Sequence, residues 1–325
     1  MNVSIPYISV VIPTYRRFEV LLDTINYVLN QEYQDYEIIV IDQNKIWPKD
    51  LQHKLTVIES DSHIKWIYME TPGVVAARNE GVKQSKGEIL VFIDDDVEIK
   101  DPYFLLKHAI NYLDTNIDAV TGRELDPNRQ IISDLSISKP EQSTDNIKTD
   151  TSWKNYSNLK QILGFIRSNN YRAVVCTLST CNCSIRRKTF IKYGGFDENF
   201  HGNSYGDDYD LALRMANGGT RIIYDPEPWL IHLKSPVGGL RLSDETNIFP
   251  EKEKAICLFI FLFRHGVPGF YFSILWNHVI RKTILLRRNV MEPWRQPKVW
   301  WGLLMAIPDA IKAVKRGPVS RLTHF

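Results

Sequence analysis

The 325 residues are 44% hydrophobic and 24% charged, the balance of an ordinary soluble globular protein, which excludes whole-chain disorder, collagen and a pure coiled coil. This length suits one α/β domain with insertions or two smaller units, and either can bury a full core without disulfide or metal staples. Forty Lys and Arg against 38 Asp and Glu leave a net charge of +2, which does not point to nucleic acid as a partner.

The chain runs almost at once into Ile8-Ser9-Val10-Val11-Ile12, which predicts a first strand rather than a targeting segment. Further apolar, β-branched runs predict strands at Glu37–Ile41, Ile64–Met69 and Glu88–Ile93. Helical patterns fall between them, near Arg17–Asn30, Pro48–Ser60 and Val74–Ser85. Alternation at this spacing implies βαβ units and a mostly parallel sheet covered on both faces. Ligands of such sheets bind outside the carboxyl ends of the strands. Strand one ends in Pro13-Thr14-Tyr15-Arg16, strand two in Asp42-Gln43-Asn44 and strand four in Asp94-Asp95-Asp96. A single Asp in such a place is ordinarily a cap or turn residue. Three strand ends delivering polar groups to one edge describe a site.

Residues 127–172 are rich in Ser, Asn, Asp and Lys and read as a polar insertion, a lid or acceptor-contacting element. Strands are expected next at Ala173–Leu178 and Asn182–Ile185, then a helix near Arg187–Tyr193. The turn Gly194-Gly195-Phe196-Asp197-Glu198 precedes a helix at Asp208–Asn217, stopped by Gly218-Gly219. Strands at Arg221–Tyr224 and Trp229–Ile231 follow, the second ending at His232. Of four cysteines, Cys176, Cys181 and Cys183 crowd one apolar stretch and Cys257 lies in another. None makes a Cys-x-x-Cys pair, so they read as buried free thiols in a reducing compartment.

The last part is different in charge. From Glu251 to Phe325 there are 13 Lys/Arg and 4 Asp/Glu, a net +9, leaving −7 for residues 1–249. The apolar run Ala255–Phe263 is nine residues long, well short of the ~20 needed to span a bilayer. Phe270–Ile280 resumes the apolar character, and Trp276, Trp294, Trp300 and Trp301 are interleaved with Lys and Arg. Such a pattern suits a helix lying on an anionic membrane surface. The plain alternatives are a helical cap on the catalytic body or a homodimer interface.

The acidic clusters carry the chemistry. Carboxylates at i and i+2 after a strand can face one ligand, and hard oxygen donors suit Mg²⁺ or Mn²⁺ shared with substrate phosphates. Gly206-Asp207-Asp208-Tyr209-Asp210 opens a helix, where acidic residues also favour the helix dipole. A carboxylate at an enclosed helix start can serve as general base toward an acceptor hydroxyl. His232, taken alone, is more often structural.

Together these motifs resemble an inverting family 2 glycosyltransferase of the GT-A fold. The resemblance rests on Val11-Ile12-Pro13-Thr14-Tyr15-Arg16, Val40-Ile41-Asp42, Ala76-Ala77-Arg78-Asn79-Glu80-Gly81, Gly87-Glu88 and Ile93-Asp94-Asp95-Asp96. It continues through Gly194-Gly195-Phe196-Asp197-Glu198, Gly206-Asp207-Asp208-Tyr209-Asp210 and His232, and so covers residues 8–235. It implies a Rossmann-like nucleotide-sugar fold, with residues 1–125 as the donor half, 126–249 as the acceptor half and 250–325 as a helical extension. Pro13, Thr14, Tyr15, Arg16, Asp42, Arg78, Asp94 and Asp95 are then expected around the nucleotide sugar. Asp96 and His232 are expected to hold Mn²⁺ or Mg²⁺, Asp208 to act as base, and Asp207 and Asp210 to lie at the acceptor side. The residue before Asp208 is Asp rather than the usual Glu, so the division of labour between Asp207 and Asp208 stays open. The implied reaction is single displacement from a nucleoside-diphosphate sugar, UDP most commonly, onto a glycan or lipid-linked acceptor at the cytoplasmic face of a membrane. A Gln-x-x-Arg-Trp signature is missing, which favours single addition over processive synthesis. Two other classes compete. A sugar nucleotidyltransferase is expected to carry a Gly-rich basic loop where Pro13-Thr14-Tyr15-Arg16 stands, and a non-catalytic binding module does not need Asp96, Asp208 and His232 together.

Overall fold

The computed structural model describes residues 5–127, 169–200, 204–239, 250–266, 275–285 and 287–322. Most of the expected insertion at 127–172, and the start of the Phe270–Ile280 run, therefore lie outside the described residues. Within them, the first strands form where apolar, β-branched runs predict: β1 (Ile8–Thr14), β2 (Tyr36–Asp42), β3 (Ile64–Tyr68) and β4 (Ile89–Ile93). They pair in parallel in the order β3-β2-β1-β4. Helices α1 (Phe18–Leu29), α2 (Gln52–Glu59) and α3 (Val74–Gln84) make the crossovers.

Beyond β4 the same sheet continues with a mixed half. It contains β5 (Val97–Glu98), β6 (Ala119–Leu125), β7 (Ala173–Val175), β8 (Asn182–Arg186) and β9 (Ile222–His232), with α4 (Phe104–Ile110) before β6. The order runs on as β8-β6-β9-β5, with β7 beside β9. β8 is antiparallel to both β4 and β6, whereas β6 and β9 are parallel. The two strands expected at 221–224 and 229–231 are one continuous strand. The intervening Asp225-Pro226-Glu227-Pro228 is accommodated by a register shift between Thr121 and Arg123 of β6. An irregular ladder tolerates prolines that a regular one rejects.

Strand alternation sends side chains to two cores. Val11, Leu90 and Phe92 enter one, and Ile8, Val10, Ile12, Ile89, Val91 and Ile93 the other. α3 lies so close to β1 that a Cβ on Gly81 would stand 2.4 Å from Val11 Cγ1. α5 (Arg187–Lys192) and α6 (Asp207–Asn217) complete the catalytic body.

The region after residue 250 packs on that body. α7 (Pro250–His265) and α9 (Gln296–Arg316), with the short α8 (Arg287–Met291) between them, contribute Leu258, Ile260, Leu262, Leu303, Ala306 and Ala310 to the core that holds Val11 and Phe92. After α9 the chain returns to the Gly194–Glu198 turn. There Val319 N–H donates to Asp197 Oδ1 at 3.0 Å, and Arg321 pairs with Glu198 at 3.1 Å. The cap alternative therefore describes the inner faces of α7 and α9.

Candidate active site

The carboxyl ends of β1, β4, β6 and β9 and the start of α6 surround a cleft of about 360 Å³. Of the residues expected around it, Pro13, Thr14, Tyr15, Arg78, Asp94, Asp95, Asp207, Asp208 and His232 line it. Four do not line it: Arg16, Asp42, Asp96 and Asp210.

Each of those four has a physical reason. Asp42 is fully buried, and its carboxylate accepts from Trp47 Nε1 at 2.7 Å, Trp66 Nε1 at 3.2 Å and Asn44 at 2.7 and 2.9 Å. Arg16 has φ 57°, which turns it outward over the Tyr15 ring and leaves Arg17 to point in. Asp96 is fully buried beneath the cleft floor and accepts from Ser235 N–H at 2.8 Å. Asp210 is fully buried on the far side of α6, where Arg214, Arg264 and His265 lie 2.8, 2.7 and 2.9 Å from its oxygens. The hydrogen bond to His265 and the charges of Arg214 and Arg264 hold its carboxyl well below the usual range against the opposing effect of burial.

The floor is an ion-paired cluster. Arg17 Nη1 is 2.8 Å from both Asp95 Oδ1 and Asp96 Oδ1, and Thr14 Oγ1 donates to Asp95 at 2.7 Å. Burial pushes the Asp95 carboxyl up to about 6, with Arg17 and Thr14 acting against it. His232 ends β9, with Nδ1 3.1 Å from Glu124 Oε1, Nε2 3.4 Å from Asp96 Oδ1 and 3.7 Å from Asp94 Oδ2. Burial opposes protonation of this imidazole, while Cys181 and the carboxylates of Asp96 and Glu124 favour it and prevail.

The opposite wall is the first turn of α6. Gly206, in the left-handed region at φ +93°, swings the chain into the helix and presents Asp207 and Asp208 to the cleft. Arg78 on α3 spans the opening, 3.0 Å from Asp94 Oδ1 and 3.1 Å from Asp207 Oδ2. Burial raises Asp207 to about 6 although Arg78 lowers it. Burial and the neighbouring Asp207 raise Asp208 to about 8. Asp208 accepts from Tyr209 N–H at 2.9 Å and is only half buried.

The donor chemistry fits a divalent cation. Asp94, Cys181 and His232 offer ligand atoms that all lie within 4.8 Å of one another, and Asp96 is 3.4 Å from the same imidazole. A carboxylate, an imidazole oriented by Glu124 and a thiol form a set that metals of intermediate softness accept.

Sequence reasoning missed Arg17, Glu124 and Cys181. Arg17 differs from Arg16 only by one position, and the backbone turn that separates them has no composition signal. Glu124 lies one residue inside the end of β6, a strand outside the apolar runs that mark the others in the sequence. Cys181 sits one step beyond the Ile93–Asn182 pair of β4 and β8, opposite Asp94, a placement that only the register reveals.

The model of glycosyl transferase family 2 matches residues 9–194, more than half of the chain. Among curated proteins, an uncharacterized glycosyltransferase of Rickettsia bellii is 33% identical over 89 residues, 27% of this chain and 13% of that one. The chain thus matches only a small part of the length of such relatives. Among solved structures, S. aureus TarS 1-349 in complex with UDP-GlcNAc superimposes with a TM-score of 0.59 at 16% identity, covering 95% of this chain and 83% of that one. A mannosyltransferase of Pyrobaculum calidifontis in complex with GDP-Man and Mn²⁺ gives 0.53 at 14% identity, covering 96% and 88%. At these identities the two structures are alike in fold, and that fold is GT-A.

Proposed function

This chain belongs to glycosyl transferase family 2, and from that premise we propose that it moves a sugar from a nucleoside diphosphate to a hydroxyl of a glycan or lipid-linked acceptor by single displacement. One observation carries the reading. Asp94 and His232 on one wall and Asp208 on the other face a single cleft, with Arg78 bridging the two walls.

The roles follow from the contacts. Tyr15 and Pro13 offer apolar surface beside the Thr14 strand end, suited to a nucleoside. Asp42, held by two indoles, acts by rigidifying the base-side wall. Arg78 presents a fixed positive charge where a diphosphate must lie. Asp94, Asp96 and His232 would hold Mn²⁺ or Mg²⁺, which when bound would supply positive charge to neutralise a departing diphosphate. Asp207 is committed to Arg78, which supports Asp208 as the general base. The acceptor proton passes to an Asp208 oxygen as the hydroxyl attacks the anomeric carbon and the nucleoside diphosphate leaves from the opposite face, inverting the centre. The TarS and mannosyltransferase complexes support a nucleotide-sugar donor, with UDP as the first to test.

Calorimetric titration of UDP, GDP and dTDP with and without Mn²⁺ tests this. Metal-dependent binding of one nucleotide, weakened by Asp96→Ala, is expected. Binding of none overturns the donor reading.

The outer face of the tail supports peripheral membrane contact. Trp294 is 72% exposed and Trp301 59%, and Trp300, Leu304, Met305 and Ile311 are also exposed along α9. Lys298, Lys312 and Lys315 belong to the same helix. Aromatic and basic residues together suit the headgroup region of an anionic, cytoplasm-facing leaflet. Among the described residues, no helix is long and apolar enough to cross a membrane.

A further inference from the structure

We infer that Cys181 is a direct ligand of the divalent cation, which makes the centre a mixed oxygen, nitrogen and sulfur site rather than an all-hard one. This rests on the proposed metal-dependent reading and adds a ligand to it. β8 lies between β4 and β6, and its antiparallel register with β4 pairs Ile93 with Asn182. One step further along, Asp94 and Cys181 leave their strands side by side at the cleft, where both are lining residues. His232 arrives from β9, on the other side of β6, and Glu124 of β6 holds its Nδ1 at 3.1 Å. Its Nε2 is thereby left toward the carboxylates. The sulfur, the imidazole nitrogen and an Asp94 oxygen lie within 4.8 Å of one another, close enough for one ion to touch all three.

The neighbouring cysteines set the contrast. Cys183, two positions on and inside β8, packs in the core with Phe92 and Phe190 and does not line the cleft. Cys176 and Cys257 are buried and do not line the cleft. Only Cys181, among the described cysteines, meets both a carboxylate and an imidazole. When the ion binds, the Cys181 thiol proton and any proton on His232 Nε2 pass to solvent as the bonds to the ion form. A sulfur ligand favours Zn²⁺ and Co²⁺, and adds nothing for Mg²⁺.

Affinity order alone does not test this, because nitrogen and oxygen sites also prefer Zn²⁺ to Mg²⁺. The decisive readout is a thiolate-to-metal charge-transfer absorption in the full-length protein loaded with Co²⁺ or Cd²⁺. The band is expected at one equivalent, absent from Cys181→Ser and retained in Cys176→Ala. Cys181→Ser is further expected to weaken Zn²⁺ binding by about tenfold or more, at least the scale of outer-shell changes, while Mg²⁺ affinity is unchanged. Calorimetry showing that wild-type protein binds Co²⁺ without the band overturns the inference, and that result does not depend on how any variant folds. A band that persists in Cys181→Ser also overturns it. Nucleotide titration of the same samples separates the two readings. Metal-dependent UDP or GDP binding without the band sinks the sulfur ligand alone, and the band without any nucleotide binding sinks the transferase reading alone.

Discussion

Arg78 and Asp207 are 129 positions apart in the chain, yet their side chains meet at 3.1 Å across the mouth of the cleft. The other guanidinium nitrogen of Arg78 holds Asp94 at 3.0 Å. One planar fork thus ties the end of β4 to the first turn of α6. Arg78→Ala leaves two carboxylates without their cation, and removal of one partner from a buried pair costs about 3–5 kcal/mol. Because Asp94 keeps some solvent contact, the lower end is expected, read as a reduced denaturant midpoint. Arg78→Lys restores charge but cannot span both carboxylates. It should recover part of the stability and little of the turnover.

Asp208→Asn should leave nucleotide binding within about twofold, since the residue lies on the acceptor wall, and lower the rate of transfer by about 10²–10⁴, the range of general base catalysis. Single-turnover transfer combined with donor calorimetry checks both halves. Near-normal turnover by this variant removes Asp208 from the base role and leaves Asp207 as the candidate.

The acid limb of kcat/KM should report the same group. Burial and Asp207 place the Asp208 carboxyl at about 8, so the ionised base accumulates, and activity rises, as pH climbs toward that value. Stability moves the other way. Between the ordinary 3.8 and about 8 the folded chain retains a proton that the unfolded chain has lost, so this group's contribution declines as pH rises through that window. Asp208→Asn should therefore flatten the pH dependence of unfolding and give a higher melting temperature than wild type at pH 8.

Asp210 has the opposite sign. Its carboxyl is held low by His265, Arg214 and Arg264 despite burial, so the contribution is full above the ordinary value of 3.8 and is lost as pH falls below it. Asp210→Ala should destabilise the protein by about 3 kcal/mol or more by stranding Arg214 and Arg264. Nucleotide affinity of the folded fraction should be unchanged, as a titration under native conditions would show.

Replacing Trp300 and Trp301 with Ser should abolish flotation with vesicles containing anionic lipid. Catalysis on a soluble acceptor should be unaffected, because both indoles point away from the core. Binding by wild type should fall as salt rises, given the lysines along the same helix. Equal binding to neutral and anionic vesicles would remove the electrostatic part of this reading.

The legible part of the fold was the part fixed by local chemistry. β1, β2 and β4 are continuous buried runs between turn residues and β3 is a half-exposed edge strand, and all four appear within two residues of their expected ends. Pro226 and Pro228 interrupt the apolar pattern of β9, and the irregular β6 ladder carries the strand through them. At the site, strand-end position found Asp94, Asp95 and His232, but it could not say which carboxylates were already engaged. Asp42 is saturated by Trp47 and Trp66, and the indole of Trp66 comes from a neighbouring strand. Asp210 could have been separated from Asp208 on paper, since two residues are about 200° apart around a helix. What no spacing rule supplies is the partner, and here the partners are Arg264 and His265 of α7.

α6 therefore serves two masters within a single turn, with Asp208 toward the cleft and Asp210 toward the tail. For anyone building chimeras, the segment after residue 250 is not an interchangeable cassette. A transplanted tail must bring its own arginine and histidine to the same places, or the recipient must lose its buried aspartate. Exchanging tails alone would unsettle the helix that carries Asp208.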